Sequence, residues 1–196
     1  MNQHHKSETR EGGFALLVTL VVVSVILAIG LSLLFVTTRQ YLLAVTANES
    51  EKAFQAAQIG LECLRYHRAQ PTTLAKFLRD DLSDQTPPLS CAGVVSDVVN
   101  SSGDPLIVDG DDYWLYNYKY SFDFSGDQCT EPSLYVADFR DYGGPDLTLD
   151  VSGEGLDTIR CTAGNVCTAI FSRGYNRPCD DLDAIYSIQR EVTVQY

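Results

Sequence analysis

One apolar segment, Phe14–Val36, runs for 23 positions without a charged residue. As a helix rising 1.5 Å per residue it would be about 34 Å long, which matches a bilayer hydrocarbon core of about 30 Å. The polar segment before it, residues 1–13, ends in Gly12-Gly13. A secretory signal has a shorter apolar core, and its small residues follow that core rather than precede it. The sequence therefore predicts a membrane-spanning helix that is retained.

The helix is expected to continue from Thr37 to Ala69, because no proline or other strong breaker follows Val36 and Gln70-Pro71 then disfavours further helix. Small and apolar residues recur on one helical face with alternating spacings of four and three: Leu43, Ala47, Ser50, Phe54, Ala57, Leu61 and Leu64. We predict that this second half packs against a globular region through one face, whereas the first half is apolar all round.

The later chain contains a strand pattern, because every even position from Trp114 to Phe124 is aromatic. We expect these aromatics to face the helix as core; an aromatic platform for a ligand is the alternative reading. Further strands are predicted at 134–139, 147–151, 168–172 and 188–196, a short helix at 74–82, and turns at 101–105 and 109–112. The predicted fold class is α+β, with an antiparallel sheet on the second half of one long helix.

Six cysteines, an even number, all follow the apolar segment. Disulfides in an oxidising compartment are favoured over zinc, because the closest pair is wider than a usual zinc knuckle and no CxxC occurs. Six cysteines allow fifteen connectivities. We favour pairing Cys63 with Cys91, Cys129 with Cys179, and Cys161 with Cys167. Since the cysteines belong outside the cell, the amino terminus is expected in the cytoplasm.

Several kinds of site find little support in the sequence. The net charge of −12 and the absence of a basic run longer than two residues argue against nucleic acid as a partner. No GxSxG, HExxH or phosphate-binding loop is present, so we expect no enzyme activity, no cofactor and no small-molecule ligand. Acidic groups at 109–112, 138–146 and 180–183 are read as solvated turns, with calcium as the alternative. We read His67 as a solvated side chain, and His4-His5 as part of a discarded leader rather than a metal-binding pair.

The Gly-Gly-Phe junction, the uncharged span after it and the small-residue-rich stretch 51–62 together resemble type IV pilin-like proteins with a class III signal peptide. The resemblance implies a long N-terminal helix with an antiparallel sheet on its second half. It also implies cleavage between Gly13 and Phe14 by a prepilin peptidase, often with methylation of the new amino group. The chain would then comprise a leader (1–13), a transmembrane half-helix (14–36), an amphipathic half-helix (37–69) and an exported, disulfide-linked, β-rich region (70–196).

The resemblance predicts a subunit that is stored in the cytoplasmic membrane as a single-pass protein and then assembled with other pilin subunits into an extracellular filament. Gly30 would allow close approach between helices. Major pilins carry a glutamate five residues into the mature chain, and this chain has Val18 there. We therefore expect a minor, priming or tip subunit of a pilus or pseudopilus. The alternatives are a surface binding protein or adhesin that never polymerises and, with less support, a membrane-tethered hydrolase.

Overall fold

The structure is a computed structural model that describes residues 12–78, 87–124, 127–151 and 158–196. The chain divides into two compact units between Ala47 and Asn48. One helix, α1 (Gly12–Ala69), contributes to both units and ends at the predicted residue. A short helix, α2 (Pro71–Phe77), follows at once, with Pro71 in its first turn, where a missing backbone N–H costs nothing. Residues 79–82 of the predicted second helix lie outside the described residues.

A five-stranded antiparallel sheet forms the body of the second unit, in the order β3-β4-β5-β8-β9. Its strands are β3 (Asp97–Val108), β4 (Asp111–Phe124), β5 (Gln128–Asp138), β8 (Val166–Tyr175) and β9 (Gln189–Gln195). Two small antiparallel pairs accompany it: β1 (Ser90–Cys91) with β2 (Val94–Val95), and β6 (Leu147–Asp150) with β7 (Thr158–Cys161). The predicted α+β fold class is therefore confirmed.

The turn predicted at 101–105 is wrong. These residues lie within β3, where Pro105 pairs with Trp114 of the neighbouring strand. Proline is tolerated there because β3 is an edge strand, so one side of its backbone makes no ladder bonds. The turn predicted at 109–112 is partly right. Asp109 and Gly110 form the hairpin turn with φ values of 52° and 98°, a left-handed conformation suited to aspartate and glycine; the next two residues already belong to β4.

The main core lies between α1 and one face of the sheet. Tyr116, Tyr118, Tyr120 and Phe122 of β4 are buried there with Leu64 of α1. The predicted packing of the alternating aromatics is confirmed for these four residues. Their neighbours at the strand ends differ, because Phe124 is only partly buried against this core and Trp114 is exposed.

The buried face of α1 is rotated relative to the prediction and does not extend as far towards the N-terminus. Ala53, Ala56, Ala57, Gly60 and Leu64 are buried, whereas Phe54 is exposed by 40% and Leu43 by 70%. The reason is the backbone of β8: a Cβ on Gly174 would overlap the backbone of Ala53 and Ala57. At so close an approach the helix can present only small side chains, so the larger Phe54 turns away.

A second core, which the sequence did not suggest, covers the other face of the sheet. The β6–β7 pair contributes Leu149, Ile159 and Cys161, and these pack with buried residues of the sheet strands and of the segment after β5, including Leu115, Tyr135, Phe139, Ala169 and Phe171. At this end the sheet is therefore covered on both faces.

Candidate functional site

The apolar half of α1 is the first candidate site, because it exposes large hydrophobic side chains in every direction. Phe14 is exposed by 75%, Val18 by 42%, and every large apolar residue from there to Val36 is also exposed. Burying such side chains is worth about 1.5–3 kcal/mol each, so an exposed surface of this kind is typical of sites that contact lipid or other proteins. By its length and composition α1 is a candidate membrane span, and it is the one such helix among the described residues.

The hydroxyl groups in this half-helix bond to their own helix. Thr19 Oγ1 donates to the carbonyl oxygen of Leu16 at 2.9 Å, and Ser24 Oγ donates to that of Val21 at 2.8 Å. Polar groups paired in this way can enter a bilayer without an unsatisfied hydrogen bond. Just beyond the span, the Arg39 guanidinium lies 4.9 Å from the centre of the Phe35 ring, a cation–π contact suited to a membrane–water boundary.

Four predicted site residues lie in this half-helix or directly before it: Gly13, Phe14, Val18 and Gly30. Gly13 is in the first turn of α1, directly before Phe14; the leader up to residue 11 lies outside the described residues. Gly30 has open space around it, with no described atom within 4 Å of where a Cβ would be. A neighbouring helix could therefore approach closely at this point.

Within the second unit, polar contacts as well as the core join the end of α1 to the later chain. Asn176, which is buried, donates from Nδ2 to Glu49 at 3.0 Å and accepts the Ile188 backbone N–H on Oδ1 at 2.6 Å. A hydrogen bond from Lys52, and a second from Asn176, lower the pKa of the Glu49 carboxyl. Nearby, Arg190 Nε donates to Ser50 Oγ at 2.8 Å. The loop between β8 and β9 is therefore attached to α1 at both of its ends.

All six cysteines are paired, in the combination favoured from the sequence. The Cα–Cα distances are 5.7 Å for Cys63–Cys91, 4.8 Å for Cys129–Cys179 and 5.1 Å for Cys161–Cys167. The first pair links α1 to the β1–β2 hairpin. The second fixes the loop after β8 to the start of β5, and the third closes the connection between β7 and β8.

Two of the three acidic groups, at 109–112 and 138–146, are partly committed to local bonds. Asp109 accepts a hydrogen bond from the Tyr142 hydroxyl at 2.7 Å. The Asp138 carboxylate is held by the Arg140 guanidinium, which lowers its pKa. Asp146 accepts the Ala163 N–H at 3.3 Å. In the part of the chain that the structure describes, none of these groups brings three carboxylates close enough to share an ion.

One group of potential metal ligands does occur among the described residues: Cys63, His67 and Cys91, whose ligand atoms all lie within 4.8 Å of one another. His67 is half-buried, and its Nε2 lies 3.2 Å from the carbonyl oxygen of Ser90. His67 is thus partly solvated, as read from the sequence, but its ring also contacts the Ser90 backbone. The spacing of four between Cys63 and His67, which places them on one helix face, was the signal in the sequence. The sequence contained no comparable signal for the β1–β2 hairpin, which adds Cys91 to the group.

No protein-family model, curated protein or solved structure matches this chain. We therefore infer function from the sequence motifs and from the geometry of the described residues. The expectation that the chain is not an enzyme stays a prediction.

Proposed function

We propose that this chain is a structural subunit of a type IV pilus or a related pseudopilus, stored in the membrane and then assembled into an extracellular filament. The observation that carries the proposal is α1 itself. It begins at a Gly-Gly-Phe sequence, exposes an uncharged apolar surface as far as Val36, and continues without a break into a half that packs on an antiparallel sheet.

An uncharged helix can exchange one apolar environment for another. In a bilayer its side chains contact lipid tails, and in a helical bundle they contact other apolar helices, so little desolvation accompanies the transfer between the two. Open space at Gly30 and internally bonded hydroxyls at Thr19 and Ser24 support close packing in such a bundle. The same surface thus suits both storage and assembly.

The resemblance to prepilins assigns the processing step to the bond between Gly13 and Phe14. Cleavage there by a prepilin peptidase would remove the polar leader and leave Phe14 as the first residue, with its amino group available for methylation. The mature subunit would then begin at the start of the apolar surface.

Val18 supports a minor, priming or tip position. In a filament interior the Phe14 ammonium would need a counter-charge, because an unpaired charge in apolar surroundings is costly. A major subunit has a glutamate for this purpose, whereas this chain has an aliphatic residue. A subunit at the tip has no neighbour ahead of it to pair with, so the absence of the glutamate destabilises it least.

The test is to express the chain in a host that has a prepilin peptidase and to measure the intact mass. We expect a chain that begins at Phe14 and carries one additional methyl group. Gly13→Val should block processing, because the residue before the cut changes. Gly12→Ala, one position earlier, is the matched control and should still be processed.

A chain that keeps residues 1–13 in the wild type would contradict the proposal and favour a surface protein that never polymerises. The sheared filament fraction gives a second measurement. The processed wild type should appear in it at low abundance, and Gly13→Val should remain in the membrane. Processed protein that never enters this fraction would also favour the non-polymerising alternative.

A further inference from the structure

The Cys63–Cys91 disulfide lies beside a histidine that is already oriented. Cys63 and His67 are one turn apart on α1, and Cys91 ends β1, so two separate elements bring the three side chains together. His67 Nε2 is 3.2 Å from the Ser90 carbonyl oxygen. If the Nε2–H donates to this oxygen, the neutral ring keeps its free lone pair on Nδ1. A ring N–H bonded to a backbone carbonyl is the usual support of a metal-binding histidine.

The two cysteine side chains, although largely buried, border an open cavity. A cavity of about 290 Å³ is lined by both cysteines together with Ile59, Tyr66, Ser90 and Ala92. This space can admit a reductant to the disulfide and leaves room for a water molecule beside a bound ion. No described carboxylate belongs to the group, so its donors are sulfur and nitrogen, which suit zinc better than calcium or magnesium.

We propose that Cys63, Cys91 and His67 form a Zn²⁺ site that exists only when the disulfide is reduced. A small dithiol supplies two electrons and two protons. The Cys63–Cys91 bond breaks to give two thiols, and the dithiol becomes a disulfide. Binding of Zn²⁺ then releases the two thiol protons and forms two zinc–sulfur bonds and one zinc–nitrogen bond, with water as the fourth ligand.

The disulfide and the ion are therefore alternative cross-links between the same two elements. A bonded sulfur pair has no thiolate to offer, so the oxidised chain does not bind Zn²⁺ here. In a tetrahedral site with zinc–sulfur bonds of about 2.3 Å the two sulfurs would be about 3.8 Å apart, a separation that rotation of the two cysteine side chains can supply. The site does not depend on whether the chain polymerises.

The experiment uses the full chain in detergent, treated with a dithiol and desalted without oxygen. Co²⁺ is the probe, because thiolate ligands give it an intense charge-transfer absorption, and Zn²⁺ should then displace it. We expect one Co²⁺ per reduced chain and no such absorption from the oxidised chain. Far-ultraviolet circular dichroism records whether the reduced chain keeps its secondary structure.

Three variants separate this site from adventitious binding. C63S/C91S should abolish the absorption. C161S/C167S, which removes another close pair, is the matched control and should keep it. His67→Ala retains both thiols and should bind Co²⁺ about tenfold or more weakly, since loss of even a supporting partner costs at least this much.

A second readout is the thermal midpoint, which Zn²⁺ should raise for the reduced wild type and for C161S/C167S but not for C63S/C91S. The proposal is overturned if the reduced wild type shows no absorption, whether folded or not. It is also overturned if C63S/C91S binds like the wild type, or if His67→Ala leaves the affinity unchanged.

Discussion

Tyr118 and Tyr120 each combine a buried ring with a buried hydroxyl. The Tyr118 hydroxyl donates to the carbonyl oxygen of Phe77 at 2.9 Å, and that of Tyr120 donates to Pro87 at 3.4 Å. Burial raises the pKa of Tyr118 to about 12 and also raises the pKa of Tyr120. These two residues thus join the sheet to the segments on either side of residues 79–86, and they do so only while both are neutral.

We predict that this pair contributes to a fall in stability in alkali. A tyrosine in the unfolded chain ionises near pH 10, whereas the buried ones resist ionisation. Their contribution is therefore complete below about pH 10 and is lost as the pH rises towards about 12. Thermal midpoints measured from about pH 8 to about pH 12 should show this decrease.

The double variant Y118F/Y120F tests which residues cause the decrease. It should be less stable than the wild type at neutral pH, by about 1 kcal/mol for each lost hydrogen bond, but should lose less on going to high pH. Tyr66→Phe, at an exposed position of α1, is the control and should follow the wild type. An equally steep decrease in the double variant would assign the effect to other groups.

At the scale of elements, the contact between α1 and β8 depends on having almost no side chain between them. Beneath Gly60, the hydroxyls of Thr130 and Ser172 lie 3.2 Å apart, and a Cβ on Gly60 would overlap both. Gly174 faces the backbone of Ala53 and Ala57 in the same way. Helix and strand can therefore approach each other closely because these two positions carry no side chain.

We predict that Gly174→Ala destabilises the second unit by about 1–3 kcal/mol, because the new methyl group must displace backbone atoms of the helix or the strand. Urea unfolding followed by circular dichroism measures the effect. Gly143→Ala is the matched control, since that position has no described atom within 4 Å of the new Cβ. Equal unfolding midpoints for the two variants would contradict the close packing at Gly174.

Elements whose signal is local were predictable from the sequence. The end of α1 follows from Pro71, and the orientation of β4 follows from its alternating aromatics. Strand β3 was not predictable, because its Ser-Ser-Gly-Asp-Pro composition favours a turn and only pairing with β4 makes it a strand. The rotation of α1 and the role of His67 depend on Gly174 and on the β1–β2 hairpin. Both are distant in sequence, so helical periodicity alone could not reveal them.

At the scale of the whole molecule, the two units have different solvent requirements. The first offers a helix whose apolar side chains are exposed, whereas the second has two cores, three disulfides and few large exposed apolar residues on its sheet. Nothing in the described core of the second unit comes from a residue before Asn48.

We therefore predict that a fragment of residues 48–196 folds without detergent. It should elute as a monomer in size-exclusion chromatography, unfold cooperatively on heating and give three disulfide-linked peptide pairs on digestion. The full chain should require detergent or lipid under the same conditions. Aggregation of the fragment, or unfolding without a cooperative transition, would show that the apolar half-helix is needed for folding.

The Cys63–Cys91 bond also determines how the molecule carries tension. A pull on α1 from its N-terminal side that breaks the contacts of Glu49, Ser50 and Ala53 with the later chain then passes from Cys63 directly to Cys91, six residues before β3 begins. The chain between the two cysteines, including α2, is then outside the load path. If the bond were opened, the residues between the two cysteines would carry the tension themselves and could extend by up to about 90 Å. The state of two sulfur atoms thus decides whether the covalent connection between helix and sheet is short and stiff or long and compliant.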